Sequence, residues 1–316
     1  MEWTAYSIGL RTRFRGITVR EGMLIRGPAG WAEWSPFWDY DDRTCVPWLA
    51  AAREAAYDRW PPPLRDRIPV NCVVPAVGPE AVAPLMRRSS GCRTAKVKVG
   101  EPGQSLADDL ARVEAVREAL GPRGRIRVDA NGAWSVSEAI TAVEALDRTA
   151  GGLEYVEQPC ATVEELATVR RHVRVPVAAD ESIRLATDPM RVREIDAADV
   201  VVLKVQPLGG VAACLEIAGQ IGLPVVVSSA LETSVGLAAG VALAAALPTL
   251  PYACGLGTGA LLEADVVAEP LRPVDGELPV ERPEVDPAAL AAAAADAETA
   301  DRWRQRLDRV GELAVR

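Results

Sequence analysis

Only three of the 35 basic residues in this 316-residue chain are lysines, and all three lie in short β-branched runs. Lys96 and Lys98 stand two apart in TAKVKVG, and Lys204 closes DVVVLK. Arginine has taken over wherever a bare positive charge suffices. It cannot give up its proton in a protein, so the role of base is one it cannot fill. Between the lysines, three acids close successive apolar runs: Asp129 in RIRVD, Glu157 in LEYVE and Asp180 in PVAAD. The steps from 98 to 129, 157, 180 and 204 are each about one strand plus one helix long. A single charge at a strand end is usually just solvated, but five in this register are harder to dismiss.

Three carboxylates with no histidine or cysteine beside them suit a hard octahedral cation, Mg²⁺ or alternatively Mn²⁺, which keeps positions open for water and substrate. Cations nearby would lower a lysine's pKa, so that Lys98 or Lys204 could act as a base near neutral pH. Such a site suits removal of a proton next to a carboxylate and stabilisation of the enediolate that results.

These residues converge only if the elements carrying them do. Strands are read at Val70–Val74, Ala95–Val99, Arg125–Asp129, Leu153–Glu157, Val177–Asp180, Val200–Lys204, Val225–Ser228 and, more weakly, Tyr252–Gly255. Helical segments lie between them, among them SLADDLARVEAVREAL, SVSEAITAVEAL, TVEELATVRRHV and VAACLEIAGQIG, three with a Ser or Thr placed to cap. Repeated βα units with strands too apolar for a wet face predict a parallel sheet covered by helices, and eight of them favour closure into a barrel. A doubly wound open sheet is the alternative, but no glycine-rich phosphate motif follows any strand. Side chains alternate along a strand, so Lys96 and Lys98 share a face. The valines between suit the helix-covered outside, which turns the lysines inward, where they need carboxylates.

The remainder of the chain frames that barrel. Residues 1 to about 60 read as a small α+β domain, with alternating ITVREGMLIRG, turn-rich GPAGWAEWSPF and helical VPWLAAAREAAYDRW. The segment after Leu262 has no βα rhythm and is expected to pack back onto the first domain or the barrel's exterior. A hydrophobic content of 49% supports a large core, and a net charge of -9 without a basic block excludes nucleic acid or an anionic membrane as the main partner. A small-molecule carboxylate substrate fits better, and the oligomeric state is left open. Six cysteines, Cys45, Cys72, Cys92, Cys160, Cys214 and Cys254, form no C-x-x-C pair, which argues against zinc or a disulfide framework. MEWTAYSIGLRTRFRG has no signal-peptide pattern, so a cytoplasmic location is expected. The Leu231–Leu250 run reads as a buried helix and not a membrane span.

Several further residues have both a structural and a functional reading. His172, the only histidine, falls at the end of the barrel away from the mouth and reads as structural or surface. Ser228 and Ser229 could present amides to a substrate carboxylate or cap a helix, and GLGTG at 255–259 could approach a ligand or merely turn the chain. Trp31, Trp34 and Trp38 could shield the site or simply pack, and Arg11, Arg13 and Arg15 are candidates to close over a ligand.

Taken together, KVK, VDANGAW, EYVEQP, AADES and VLKVQP closely resemble the enolase superfamily, specifically its muconate-lactonizing subgroup with lysines on the second and sixth barrel strands. That superfamily's use of a Lys or His base with Mg²⁺ to stabilise an enediolate is established chemistry. The resemblance implies a modified TIM barrel, (β/α)7β, over residues 66–262, and an α+β capping domain over 1–65 completed by 263–316. REGMLIRGPAGWAEWSPF, SSALETSVGLA and ACGLGTG look most like the lyases of menaquinone biosynthesis that eliminate water, syn, from 2-succinyl-6-hydroxy-2,4-cyclohexadiene-1-carboxylate. Carried over, Asp129, Glu157 and Asp180 match metal ligands. Lys98 matches the residue that takes the α-proton and then protonates the departing hydroxyl, Lys204 the one that stabilises the enediolate, and Lys96 an electrostatic helper. Asn131, Ser228, Ser229, Gly255 and Leu256 are the implied substrate contacts. Two departures stand out: Gln158 where relatives often have a second Glu, and KVQP where KP often follows the lysine more directly. Racemisation or epimerisation of an N-succinylamino acid is a competing activity, since two lysines across a substrate serve it equally. GLGTG lacks the Asp-x-Asp that would hold a dipeptide's ammonium. A catalytically silent metal-binding scaffold is disfavoured by retention of all five charges.

Overall fold

Alternation in the first residues becomes an antiparallel meander in the computed structural model, which describes residues 3–88 and 90–315. β1 (Trp3–Phe14) pairs with β2 (Ile17–Gly27), and β2 with β3 (Gly30–Trp34). The β1–β2 turn is the two-residue Arg15-Gly16, both at positive φ (50° and 76°), the twist that a tight hairpin requires. α1 (Val46–Tyr57) packs its Trp48 and Leu49 on this sheet. The segment after Leu262 joins the same core: Val266, Val267, Trp303 and Val310 pack there, and Trp303 meets Trp34 edge-on at 5.4 Å.

β4 (Arg67–Pro69) leads into the barrel and pairs with the late strand β12 (Glu277–Pro279). The barrel strands are β5 (Cys72–Val74), β6 (Thr94–Lys98), β7 (Arg125–Asp129), β8 (Val156–Glu157), β9 (Val177–Ala179), β10 (Val200–Lys204) and β11 (Val225–Ser228). They lie side by side in chain order and are parallel throughout. Around them run α2 (Val82–Arg87), α3 (Leu106–Leu120), α4 (Val136–Ala150), α5 (Val163–His172), α6 (Glu181–Arg184), α7 (Arg191–Glu194), α8 (Val211–Ile221) and α9 (Ser234–Ala246), with α10 (Pro287–Ala292) and α11 (Ala297–Leu313) at the end of the chain.

The Ser and Thr caps form as predicted. Ser105 with Asp108, Ser135 with Glu138 and Thr162 with Glu165 are reciprocal capping boxes on α3, α4 and α5. α8, the one of the four predicted helical segments without a Ser or Thr cap, follows Gly210 and takes its cap from the other core: the Glu54 carboxylate on α1 accepts from Val211 N at 2.6 Å and Ala212 N at 2.8 Å. α9 is served likewise by Glu33 on β3, whose Oε2 accepts from Thr233 N at 3.0 Å and Gly236 N at 3.2 Å. Buried Arg20 donates to the carbonyls of Leu231 and Ala230, and Gln206 exchanges two hydrogen bonds with Ser35. The amino-terminal domain is thus tied to the carboxyl ends of the barrel strands by side chains that satisfy otherwise orphaned backbone groups.

Several strand bounds need correction, Ala95–Val99 to Thr94–Lys98 and Val177–Asp180 to Val177–Ala179 among them. The strand at Tyr252–Gly255 shrinks to two pairings, Cys254 with Val70 and Gly255 with Ser228. Even so, Cys254 N donates to Pro69 O at 2.7 Å and Gly255 N to Val227 O at 2.8 Å, which joins the two edges of the curled sheet. Leu153–Glu157 narrows to Val156–Glu157 and Val70–Val74 to Cys72–Val74, although Glu154 N still donates to Ile126 O at 2.7 Å and Val70 still pairs with Cys254. The Leu231–Leu250 run yields α9, buried almost all round, and among the described residues no helix is long and apolar enough to cross a membrane. The outermost residues of the capping assignment, 1–2 and 316, lie outside the described residues.

Candidate active site

Alternation places one set of side chains inside the barrel. Tyr155, Ala178, Val200, Val202 and Val226 form their own small core there, and two residues further along each strand stand Glu157, Asp180, Lys204 and Ser228. The parallel register sets Lys98 beside Asp129, Asp129 beside Glu157, and Lys204 beside Ser228. Thus the sequence reading of Lys96 and Lys98 as inward residues corresponds to where the chain puts them.

The lysines meet the acids directly. Lys96 Nζ lies 2.9 Å from Asp129 Oδ2 and 2.6 Å from Glu157 Oε1. Lys98 Nζ donates to Asp129 Oδ2 at 2.6 Å and also to Asn131 Oδ1. Across the mouth Lys204 Nζ lies 2.6 Å from Asp180 Oδ2, and Arg184 Nε 3.0 Å from Asp180 Oδ1. Asp129, Glu157 and Asp180 are all at most 1% exposed. Charges so deep persist only when paired.

The pairing is unequal, and the acidities follow. Burial pushes the Asp129 carboxyl up, but Lys96 and Lys98 together hold it far below the usual range. Burial also opposes ionisation of Asp180, and Lys204 with Arg184 outweighs it to leave a value of about 2. At Glu157 burial, reinforced by Asp129 and Asp180, outweighs Lys96 and Lys204 and raises it to about 7. Lys96 feels the reverse balance: burial favours its neutral form, but Asp129 and Glu157 hold it protonated well above the usual range. Lys96 is thus held as a cation by the two acids it touches.

Glu157 Oε2 is buried without a hydrogen-bond partner. Among the described residues, no three Asp, Glu, His or Cys side chains gather tightly enough to enclose an ion as they stand, because lysines occupy the space between the acids. Three carboxylates on consecutive strands, one with an unmet buried oxygen and a raised pKa, nevertheless match the all-oxygen donor set of a divalent metal.

A cavity of about 520 Å³ opens over the lysines, between the barrel mouth and the amino-terminal domain. Of the sequence-predicted contacts, Asn131, Ser228, Ser229 and Gly255 line it. Asn131 holds its pose at φ 48°, its backbone N–H donating to Asp129 Oδ1 at 3.0 Å. Gly255 permits the close strand approach, since a Cβ there would come within 2.4 Å of Ser228 Oγ. Leu256 does not join them: one residue on, its side chain turns into the barrel core against Gly240. The Ser229 amide is already spent on the Gly255 carbonyl at 3.1 Å, and α9 is capped by Thr233, so neither reading of that amide holds. The Ser229 hydroxyl, 2.6 Å from Thr258 Oγ1, is what faces the cavity wall.

Arg13 and Arg15 line the cavity, whereas Arg11 ties β1 to the carbonyls of Leu262 and Glu263. Trp31, Trp34 and Trp38 stay outside it, and Trp48, Phe37 and Tyr40 supply the aromatic wall instead. His172 is exposed at the end of α5, its Nδ1 2.8 Å from Thr168 O. Both departures acquire roles. Gln158 accepts from Asp180 N and Ser182 N through Oε1 and donates to Cys160 O and Ser182 Oγ through Nε2, tying the exits of β8 and β9 together. Gln206 anchors Ser35 of the capping side. The sequence reading missed Arg184; its place four residues after Asp180, one turn along the following helix, was the available signal.

Comparison with known proteins agrees with this geometry. Residues 80–284 match the family described as Enolase C-terminal domain-like, and residues 5–56 the one described as Enolase N-terminal domain-like. The chain is 64% identical to the o-succinylbenzoate synthase of Thermobifida fusca over 96% of this chain and 98% of that one. It is 58% identical to the o-succinylbenzoate synthase of Mycolicibacterium smegmatis over 96% and 92%. Its fold is similar to muconate lactonizing enzyme from Pseudomonas fluorescens, with a TM-score of 0.77 and 20% identity over 93% and 98% of the two chains.

Proposed function

Because the chain belongs to the enolase superfamily, we propose that its cavity carries out the o-succinylbenzoate synthase reaction. Water is eliminated from 2-succinyl-6-hydroxy-2,4-cyclohexadiene-1-carboxylate, and the ring becomes aromatic 2-succinylbenzoate. The chain is therefore a lyase. The observation that carries the reading is that Lys98 and Lys204 enter one cavity from opposite sides, each hydrogen-bonded to a buried carboxylate.

Members of this superfamily use a divalent metal, and here Asp129, Glu157 and Asp180 would hold it, Mg²⁺ being the ion their oxygens suit. When bound, it neutralises the acids and draws electron density from the substrate carboxylate, which acidifies the adjacent carbon. The residues of the chain do the rest. Lys98 Nζ takes the proton from that carbon and returns one to the departing hydroxyl, so atoms balance without a further reagent. Lys204, on the other face, offsets the negative charge that develops, and Lys96, set between Asp129 and Glu157, adds a further positive charge. Aromaticity makes the second step downhill, so the demanding event is the first proton transfer. The six cysteines form no disulfide among the described residues, in keeping with the reducing cytoplasm to which we assign the protein.

The same pair of opposed lysines favours a second reading, racemisation of N-succinylamino acids. The test is an ultraviolet assay of purified protein with the cyclohexadiene, with Mg²⁺ and after chelation, beside a deuterium-exchange assay with N-succinylamino acids. Metal-dependent conversion to the aromatic product is expected; exchange without dehydration overturns the dehydratase reading.

A further inference from the structure

The wall of the cavity facing the lysines carries a second constellation. Tyr40 Oη receives a hydrogen bond from Arg15 Nη2 at 2.9 Å, on the β1–β2 turn, and another from Arg184 Nη1 at 2.6 Å, on the barrel. A guanidinium can only donate, and a phenol oxygen has two lone pairs and one proton. Both lone pairs are taken, so the proton must be donated elsewhere, and among the described residues no acceptor receives it. Tyr40 lines the cavity. Its ring is held edge-on to Phe37 at 6.1 Å and tilted to Trp48 at 6.0 Å, with the Arg15 guanidinium 5.0 Å from its centre, so the direction of the hydroxyl is fixed.

The charges on this wall do not cancel. Arg15 is paired with Asp39, and Arg184 with Asp180 and Glu181. Arg13 lines the same cavity, which also holds the carboxylate residue Glu101, and among the described residues the Arg13 guanidinium forms no ion pair. One oriented neutral donor, joined to the lysine cluster only through Arg184 and Asp180, and one cation without an ion-pair partner are the elements of an anion subsite.

We propose that Tyr40 and Arg13 form a second carboxylate subsite that holds the terminal carboxylate of the substrate's succinyl arm. Tyr40 donates one hydrogen bond to that carboxylate and Arg13 supplies the charge. The identity of the ligand rests on the dehydratase reading; the existence of the subsite does not.

The test uses the full chain loaded with Mg²⁺ and titrated calorimetrically with 2-succinylbenzoate and with benzoate, which lacks the arm. Tyr40→Phe and Arg13→Gln should each weaken 2-succinylbenzoate about tenfold or more, leaving benzoate and Mg²⁺ affinities within about twofold by the same principle. Tyr40→Phe also removes the acceptor that Arg184 uses. If the residue acted only through Arg184 and Asp180, benzoate and Mg²⁺ would weaken in parallel with 2-succinylbenzoate, which would overturn the proposal. Arg13→Gln leaves Arg184 untouched, and unchanged 2-succinylbenzoate affinity in that variant likewise overturns it. Turnover of the cyclohexadiene by the unmutated preparation separates the two claims: its absence sinks the reaction, whereas selective loss of arm binding in the variants is decided by titration alone.

Discussion

Replacing Lys98 by arginine isolates proton transfer from charge. Lys98 Nζ donates to Asp129 Oδ2 at 2.6 Å and to Asn131 Oδ1, and an arginine at this position can make the same ion pair with the side chain open to the cavity. Asp129 also keeps Lys96 at 2.9 Å, so its negative charge stays compensated even if the guanidinium settles differently. Stability should therefore change by no more than about 1 kcal/mol, a few degrees at most in a thermal melt. What vanishes is a group able to accept a proton. Loss of a positioned general base costs roughly 10² to 10⁴ in rate, or about 3 to 5.5 kcal/mol in the barrel's catalysed barrier at 1.36 kcal/mol per decade. Because Lys98 is assigned both the abstraction and the return of the proton, kcat for the cyclohexadiene should fall at least about 10³-fold. KM should move little, since the cation near the substrate is retained. The measurement is the ultraviolet conversion assay at saturating Mg²⁺, with a thermal melt of the same sample. A variant that melts normally and keeps a tenth or more of the wild-type kcat refutes Lys98 as the base.

Three further outcomes are expected. Addition of Mg²⁺ at a hundred times its Kd should stabilise the fold by about 2.7 kcal/mol, reversibly on chelation; Glu157→Gln should remove most of that gain in thermal melts, and an equal gain in the variant contradicts Glu157 as a ligand. Gln158→Glu deletes the donor to Cys160 O and Ser182 Oγ and adds a carboxylate beside Asp180, so urea unfolding should show a loss of about 2 to 4 kcal/mol. Glu232 is buried, and burial, reinforced by Glu33 and opposed by Arg20, raises its carboxyl from an ordinary 4.5 to about 7. It keeps its proton in the folded chain over that interval while the unfolded chain releases it. Stability should therefore fall as pH rises from 4.5 to 7, by up to about 3 kcal/mol. Glu157, raised to about 7 in the same way, adds its own decline over that interval in the metal-free chain, so Glu232→Gln, which retains an acceptor for Ala230 N, should remove only the share of about 3 kcal/mol that Glu232 contributes, and an unchanged profile would count against it.

Much of the charged barrel mouth was legible before folding because its determinants are local. Alternation along TAKVKVG fixes that Lys96 and Lys98 share a side, and the βα period fixes that Asp129, Glu157, Asp180 and Lys204 reach the same end of the barrel. The capping boxes at Ser105, Ser135 and Thr162 need only three residues each, so they too could be read directly.

Other features were settled only by packing between distant segments. Glu54 caps a helix 157 positions away, and Tyr40 meets Arg184 across 144. Nothing near any of these residues marks its partner. The same holds for the closure of the barrel through Cys254 and Gly255, where two pairings suffice because the sheet edges have already curled together. The type and order of the charged residues, with the periodicity of the strands under them, were determined by the sequence alone. Which carboxylate each lysine holds, that Ser229 has no amide to offer, and how the capping side completes the cavity were decided by tertiary structure, because those contacts depend on where whole elements stack and not on the spacing within any one of them.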